Sequence, residues 1–132
     1  MPRRSLSTVV VKSVDEGAVR HAMNAYAARL LASHPTIDEI VVFGSFEQGT
    51  WAPGSDLDVF IVLSSADRPV HERVAQLLPG AFPVGIDLFP FTVEEVSERL
   101  PSPLLDAVAS SRWRYRRAAP PSPPTGPSPA GP

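Results

Sequence analysis

The sequence contains no cysteine. That excludes disulfides and thiolate-ligated metals, and it suits a reducing compartment. Lysine is nearly absent too: Lys12 is the only one, so neither apolar strand that carries an aspartate has a lysine to pair with it. The three histidines, His21, His34 and His71, are scattered without an HxxxH spacing, which removes the usual zinc pattern. Neither sign of charge is in large excess. Twelve Lys+Arg against fourteen Asp+Glu give a formal net charge of −2, so the chain as a whole exerts no pull on nucleic acid. No apolar run approaches the roughly 20 residues of a membrane span. The opening MPRRSLSTVVVKS offers only the short run TVVV, too brief for a signal-peptide core, so a cytoplasmic protein is expected.

What is present is a globular composition. With 43 % hydrophobic residues over 132 positions, one domain with one modest core is expected. Residues 1–7 read as a flexible start and 8–117 as the domain. The segment 118–132, AAPPSPPTGPSPAGP, has nothing to bury and is expected to be disordered or polyproline-like. Thr8 to Lys12 are β-branched enough for a short strand. Ser13-Val-Asp-Glu16 reads as a capping box opening a helix to Ser33, with Val19, Ala22, Met23, Tyr26 and Leu30 as its buried stripe. His34-Pro35 ends that helix.

Strands are expected over Ile37–Phe43, Asp56–Leu63 and Val84–Phe89. A helical turn is expected over Phe46–Thr50, and a tight turn at Pro53-Gly54. A helix should open at Asp67-Arg-Pro69 and run to Leu78. Thr92-Val-Glu-Glu95 is a further capping box, starting a helix to Leu100, and Ser102-Pro103 starts a last one to Ser110. Strands alternate with helices, but the connection through 44–55 is too short for a crossover helix. The spacing predicts an α/β (α+β) fold: a mixed central sheet with helices mainly on one face, not a doubly wound parallel sheet.

The chain is organised around residues 42–63, VFGSFEQGTWAPGSDLDVFIVL. Asp56 and Asp58 lie two apart at the start of an apolar strand, so they share one face while Leu57, Val59 and Ile61 take the other. Two strand residues span roughly 6.6 Å, close enough for the carboxylates to repel. Asp87 is likewise set between Ile86 and Leu88. Carboxylates among apolar residues cost free energy unless paired or coordinated. One such aspartate would simply face water. Three of them, downstream of Gly44-Ser45, read as a site for a hard, oxygen-ligated cation. Gly44 lets backbone approach a phosphate closely, and the Ser45 hydroxyl adds a donor.

This stretch resembles the signature of the polymerase-β-like nucleotidyltransferases. An apolar strand leads into Gly-Ser, about ten residues follow, then Asp-apolar-Asp-apolar, with a third Asp in a later strand, here Asp87 in VGIDLFPF. The small size is similar to the minimal nucleotidyltransferases, and the resemblance covers about Ile37 to Phe91. It implies that Asp56 and Asp58 hold two Mg²⁺ ions, or Mn²⁺ in their place, that bridge a triphosphate. It implies that Asp87 ligates the catalytic metal and acts as base or orients the acceptor hydroxyl. Gly44 and Ser45 would hold phosphate. The implied reaction moves a nucleoside monophosphate, AMP from ATP, to a hydroxyl acceptor and releases pyrophosphate. A helical, HEPN-like partner protein, as in toxin–antitoxin pairs, would supply that acceptor. The alternative is a catalytically weak nucleotide- and metal-binding module that acts by binding such a partner, in the manner of an antitoxin.

One departure stands out. Members of this family often carry a small residue and then a basic one before the next glycine, where this chain has Phe46-Glu47-Gln48-Gly49. Arg68, Arg73 or the 112–117 cluster could supply the missing charge. RWRYRR over 112–117 reads either as a basic end whose aromatics pack on the sheet, or as a contact for nucleotide phosphates or an acidic partner. Nucleic-acid binding through it is the weakest reading, given the acidic balance. Trp51 reads as a packed loop aromatic ahead of a base-stacking one.

Overall fold

The computed structural model describes residues 15–117. The expected strand at Thr8–Lys12, the Ser13 cap and the segment 118–132 lie outside them. The first helix, α1, spans Glu16–Ser33. Its N-cap is Asp15, two residues past the expected Ser13: the carboxylate accepts from the amides of Gly17 at 2.9 Å and Ala18 at 3.3 Å. A negative group here also complements the positive end of the helix dipole. Val19, Met23, Tyr26, Ala27 and Leu30 form the buried stripe. Ala22 is only half-buried, because the 3.6-residue period carries the stripe through Ala27 instead.

Strand β1 follows at Ile37–Phe43 and the short α2 at Ser45–Gln48. Then come β2 at Leu57–Leu63, α3 at Val70–Leu77 and β3 at Ile86–Thr92. The chain continues through α4 at Val93–Glu98, α5 at Pro103–Ser110 and β4 at Trp113–Arg116. The sheet order is β3-β2-β1-β4. β1 runs antiparallel to both β2 and β4, whereas β2 and β3 are parallel. The short 44–56 connection suffices for the antiparallel pair, and the parallel pair takes its crossover through α3. The sheet is therefore mixed, as the loop lengths predict.

Several boundaries differ from expectation: α2 is Ser45–Gln48 and not Phe46–Thr50, β2 starts at Leu57 and leaves Asp56 just outside it, and α4 ends at Glu98 and not Leu100. Pro69 is the N-cap of α3, so the helix starts at Val70 and not at Asp67. β3 begins at Ile86 and runs past Phe89, through Pro90, to Thr92. It is an edge strand paired only to β2, so a proline without an N–H costs no ladder bond on its free side. Its end is held by the predicted capping box: the Thr92 hydroxyl accepts from the Glu95 amide at 3.1 Å, and the Glu95 carboxylate accepts from the Thr92 amide at 2.9 Å.

RWRYRR becomes β4. Alternation along it sends Trp113 and Tyr115 to the α1 side of the sheet. Arg114 and Arg116 go to the other side, where both donate to Glu39, at 2.7 and 2.9 Å. Burial pushes the Glu39 carboxyl up, but the two guanidinium groups outweigh it and hold it below the ordinary value. Arg117 donates to the carbonyls of His34 at 3.1 Å and Ile37 at 2.9 Å. Most of the basic cluster thus serves the fold.

The larger core lies between α1 and the sheet, where Val19, Met23 and Tyr26 meet Ile40, Val42, Leu57, Val59 and Ile61. Phe46 of α2 and Leu77 of α3 join it. Each fully buried large side chain here contributes about 1.5–3 kcal/mol. A smaller cluster on the opposite face sets Leu105 and Val108 of α5 over Val41, Phe43 and Phe60. That face stays open where Asp58 is half-buried and Asp87 exposed. Among the described residues, no helix is long and apolar enough to cross a membrane.

Candidate active site

At the end of β1, Gly44 adopts φ +81° and ψ −153°, a combination nearly restricted to glycine. A Cβ on Gly44 would also run into the Asp58 carboxylate. Position 44 therefore needs glycine twice over, once for the backbone turn and once for the acid beside it. Ser45 starts α2, and the left-handed Gly49 closes it at φ +78°. Gly54 makes the predicted turn at φ +90°. Between them Trp51 stacks on Phe46, with centroids 5.4 Å apart and planes at 7°, against the α1-side core. Trp51 is loop packing, as expected.

The sheet register then aligns the acids. Phe43 pairs with Asp58 across β1 and β2, and Asp58 pairs with Asp87 across β2 and β3. Paired residues on neighbouring strands point to the same face, so Asp58 and Asp87 stand side by side. Asp56 sits one residue before β2. It is accommodated by Gly85, where a Cβ would collide with the Asp56 carboxylate. The Leu57 amide donates to the Gly85 carbonyl at 2.8 Å and fixes that approach. Gly85 was not among the residues singled out in the sequence. Its signal was a glycine directly before the Ile-Asp-Leu strand.

The electrostatics are those of crowded acids. Asp58 is held above the ordinary carboxylate range, first by burial, then by the negative charge of Asp87 and of Asp56. Among the described residues, no His, Asp or Glu side chains gather in a group of three or more that could hold a metal ion. The donor chemistry nonetheless suits a hard cation: oxygen ligands only, mutually repelling, beside two positions where the absence of a Cβ gives the carboxylates room.

The candidate phosphate cations at Arg68 and Arg73 are not brought here. Arg73 is buried and forked onto Glu95 at 2.7 and 3.0 Å, with a third bond to the Pro90 carbonyl at 3.1 Å. Arg68 pairs with Glu72 at 3.3 Å. Both line a cavity of about 510 Å³ with Leu63, at the opposite end of β2 from Asp58. That cavity contains none of the three aspartates.

A family model described as the nucleotidyltransferase domain matches residues 26–101, a span holding the Gly44-Ser45 loop and all three aspartates. A comparison with curated proteins gives no match. Among solved structures, a nucleotidyltransferase candidate from Sulfolobus solfataricus is similar in fold, with a TM-score of 0.51 and 15 % identity over 76 % of this chain and 80 % of that one. At that identity the likeness speaks for the fold alone. Since the family match covers more than half of the sequence, this chain belongs to the nucleotidyltransferase-domain family, as a minimal member of the polymerase-β-like superfamily.

Proposed function

We propose that this nucleotidyltransferase moves a nucleoside monophosphate, AMP from ATP, to a hydroxyl acceptor and releases pyrophosphate. The observation that carries the reading is the register pair Asp58–Asp87 at the open end of the sheet, directly beside Gly44. Asp56, Asp58 and Asp87 are the groups that would hold Mg²⁺, or Mn²⁺ in its place. Two such ions, when bound, would screen the charge on the α-phosphate and on the attacking and leaving oxygens. Gly44 lets the triphosphate approach the backbone, and the Ser45 hydroxyl donates to it. Asp87 is exposed, so an acceptor hydroxyl can reach it and pass its proton to the carboxylate. The acceptor oxygen then bonds to the α-phosphorus. The bond from that phosphorus to the bridging oxygen breaks, and pyrophosphate leaves with the electron pair.

On this reading the acceptor is carried by a helical, HEPN-like partner protein, as in a toxin–antitoxin pair, with a tyrosine hydroxyl as one candidate. A second reading is a catalytically weak module that acts by binding that partner. It is favoured by the loop sequence Glu47-Gln48, which brings a negative charge where a basic residue is usual. Transfer of label from α-labelled ATP to a helical partner protein, with Mg²⁺, separates the two. Transfer by the wild type and its loss in Asp56→Asn and Asp58→Asn support the enzyme. Label incorporation unchanged in both variants removes the chemistry from these residues.

A further inference from the structure

The Gly-Ser loop lacks its usual cation, and we propose that Arg112 supplies it from another strand, as the residue that contacts the triphosphate. The inference rests on the nucleotidyl-transfer reading of the site. Its first support is elimination among the described arginines. Arg73 and Arg68 are paired at the far end of the sheet. Arg114 and Arg116 share Glu39, and Arg117 binds backbone carbonyls. Arg20 lies over the Trp113 ring at 3.9 Å and Arg29 over Tyr26 at 5.9 Å, both on the α1 side. Arg99 lies over Phe91 at 4.5 Å and donates to the Glu95 carbonyl. Arg112 is exposed, and among the described residues its guanidinium has no ion-pair or hydrogen-bond partner.

The second support is position. Val42 pairs with Trp113 as the last rung of the β1–β4 ladder, and Arg112 is the residue just before β4, one place beyond that rung. Phe43 pairs with Asp58, and Asp58 with Asp87. Phe43, Asp58 and Asp87 therefore form one row across three strands, and Arg112 lies one residue beyond the last β1–β4 rung, toward the Phe43 end of β1. Continued one residue past the end of β4, the alternation that sends Arg114 and Arg116 to the carboxylate face would put Arg112 there as well. Two strand spacings, about 10 Å, separate it from Asp58, with the end of β1 and Gly44 between them.

The third support is that its backbone is tied to the loop itself. The Arg112 amide donates to Glu47 Oε2 at 3.3 Å. The neighbouring Ser111 hydroxyl is buried and donates to the Val42 carbonyl. Glu47, an unfavourable charge if it faced phosphate, instead holds the start of β4 against α2. The acid and the displaced base thus belong to one arrangement. A guanidinium forking onto phosphate oxygens from this side would do what a basic loop residue does elsewhere.

The test is binding of inorganic tripolyphosphate with Mg²⁺ to the full chain by calorimetry, a probe without a base or sugar. Arg112→Gln should weaken binding about tenfold or more, the scale of one charge-assisted hydrogen bond. Arg112→Lys should recover part of it. Adding Gln48→Arg to Arg112→Gln should restore affinity, because the charge returns to the loop. This rescue also answers any loss of folding in the single variant. If Arg112→Gln binds as tightly as wild type while Asp58→Asn does not, the site stands and Arg112 has no part in it. If Lys fails as badly as Gln and Gln48→Arg restores nothing, charge is not what Arg112 contributes, and the proposal is overturned. If the wild type does not bind the probe, the phosphate site fails and the role of Arg112 falls with it.

Discussion

Asp58 and Asp87 are partners in register on neighbouring parallel strands, both turned to the open face of the sheet. Like charges in such a pair oppose folding, and Asp56 adds to the repulsion. A sheet selected for stability alone would not keep this arrangement.

Replacing Asp58 by Asn should therefore stabilise the protein without divalent ions, by less than about 1 kcal/mol given solvent screening. Because the folded-state carboxyl is raised, its favourable contribution is full below the ordinary value of 3.8 and is lost as pH rises through the folded value. Melting temperatures at low salt should show the variant above wild type at neutral pH, with the gap closing in acid and in high salt. Added Mg²⁺ should raise the wild type more than the variant. A variant that melts below wild type at neutral pH, without metal, would contradict this.

Gly44→Ala should cost about 1–3 kcal/mol, since alanine strains at φ +81° and its Cβ meets the Asp58 carboxylate. Gly80→Ala is the control, because nothing lies within 4 Å of a Cβ placed there. Urea unfolding of the two variants should differ by most of that figure.

The Glu95–Arg73 pair makes a prediction of the opposite sign to Asp58. The Arg73 guanidinium, then the Thr92 amide, hold Glu95 down at about 2. Its stabilisation is complete above the unfolded value near 4.5 and is lost as pH falls toward about 2. Glu95→Gln leaves a buried guanidinium without its charge partner and should cost roughly 2–4 kcal/mol at neutral pH. That deficit should shrink steadily between about pH 4.5 and 2 in denaturant titrations.

Tyr26→Phe tests the α1 core. The Tyr26 hydroxyl donates to the Leu77 carbonyl at 2.6 Å in a buried setting. Without it that carbonyl has lost its partner, and the loss should be about 1–2 kcal/mol. The urea midpoint should fall while the slope of the transition stays unchanged.

The sequence by itself determined the elements and the family, because both are written in local patterns. The 3.6-residue stripe made α1, and the two-residue period made β1 and β2 and turned Leu57, Val59 and Ile61 away from Asp58. Thr92 and Glu95 announced their capping box within four residues. Gly44-Ser45 and the spaced aspartates lie inside the span that the family model matches. Tertiary structure decided what depends on residues far apart in the chain. Whether Pro90 could stay in a strand depended on β3 lying at an edge. Which arginines are occupied depended on Glu39 meeting β4 and Glu95 meeting α3, contacts no local window contains. The fit of Asp56 against Gly85, and the row that sets Phe43, Asp58 and Asp87 side by side, arise only once strand register is set. Register is chosen by the burial of whole faces at once, and no short stretch of residues can specify that.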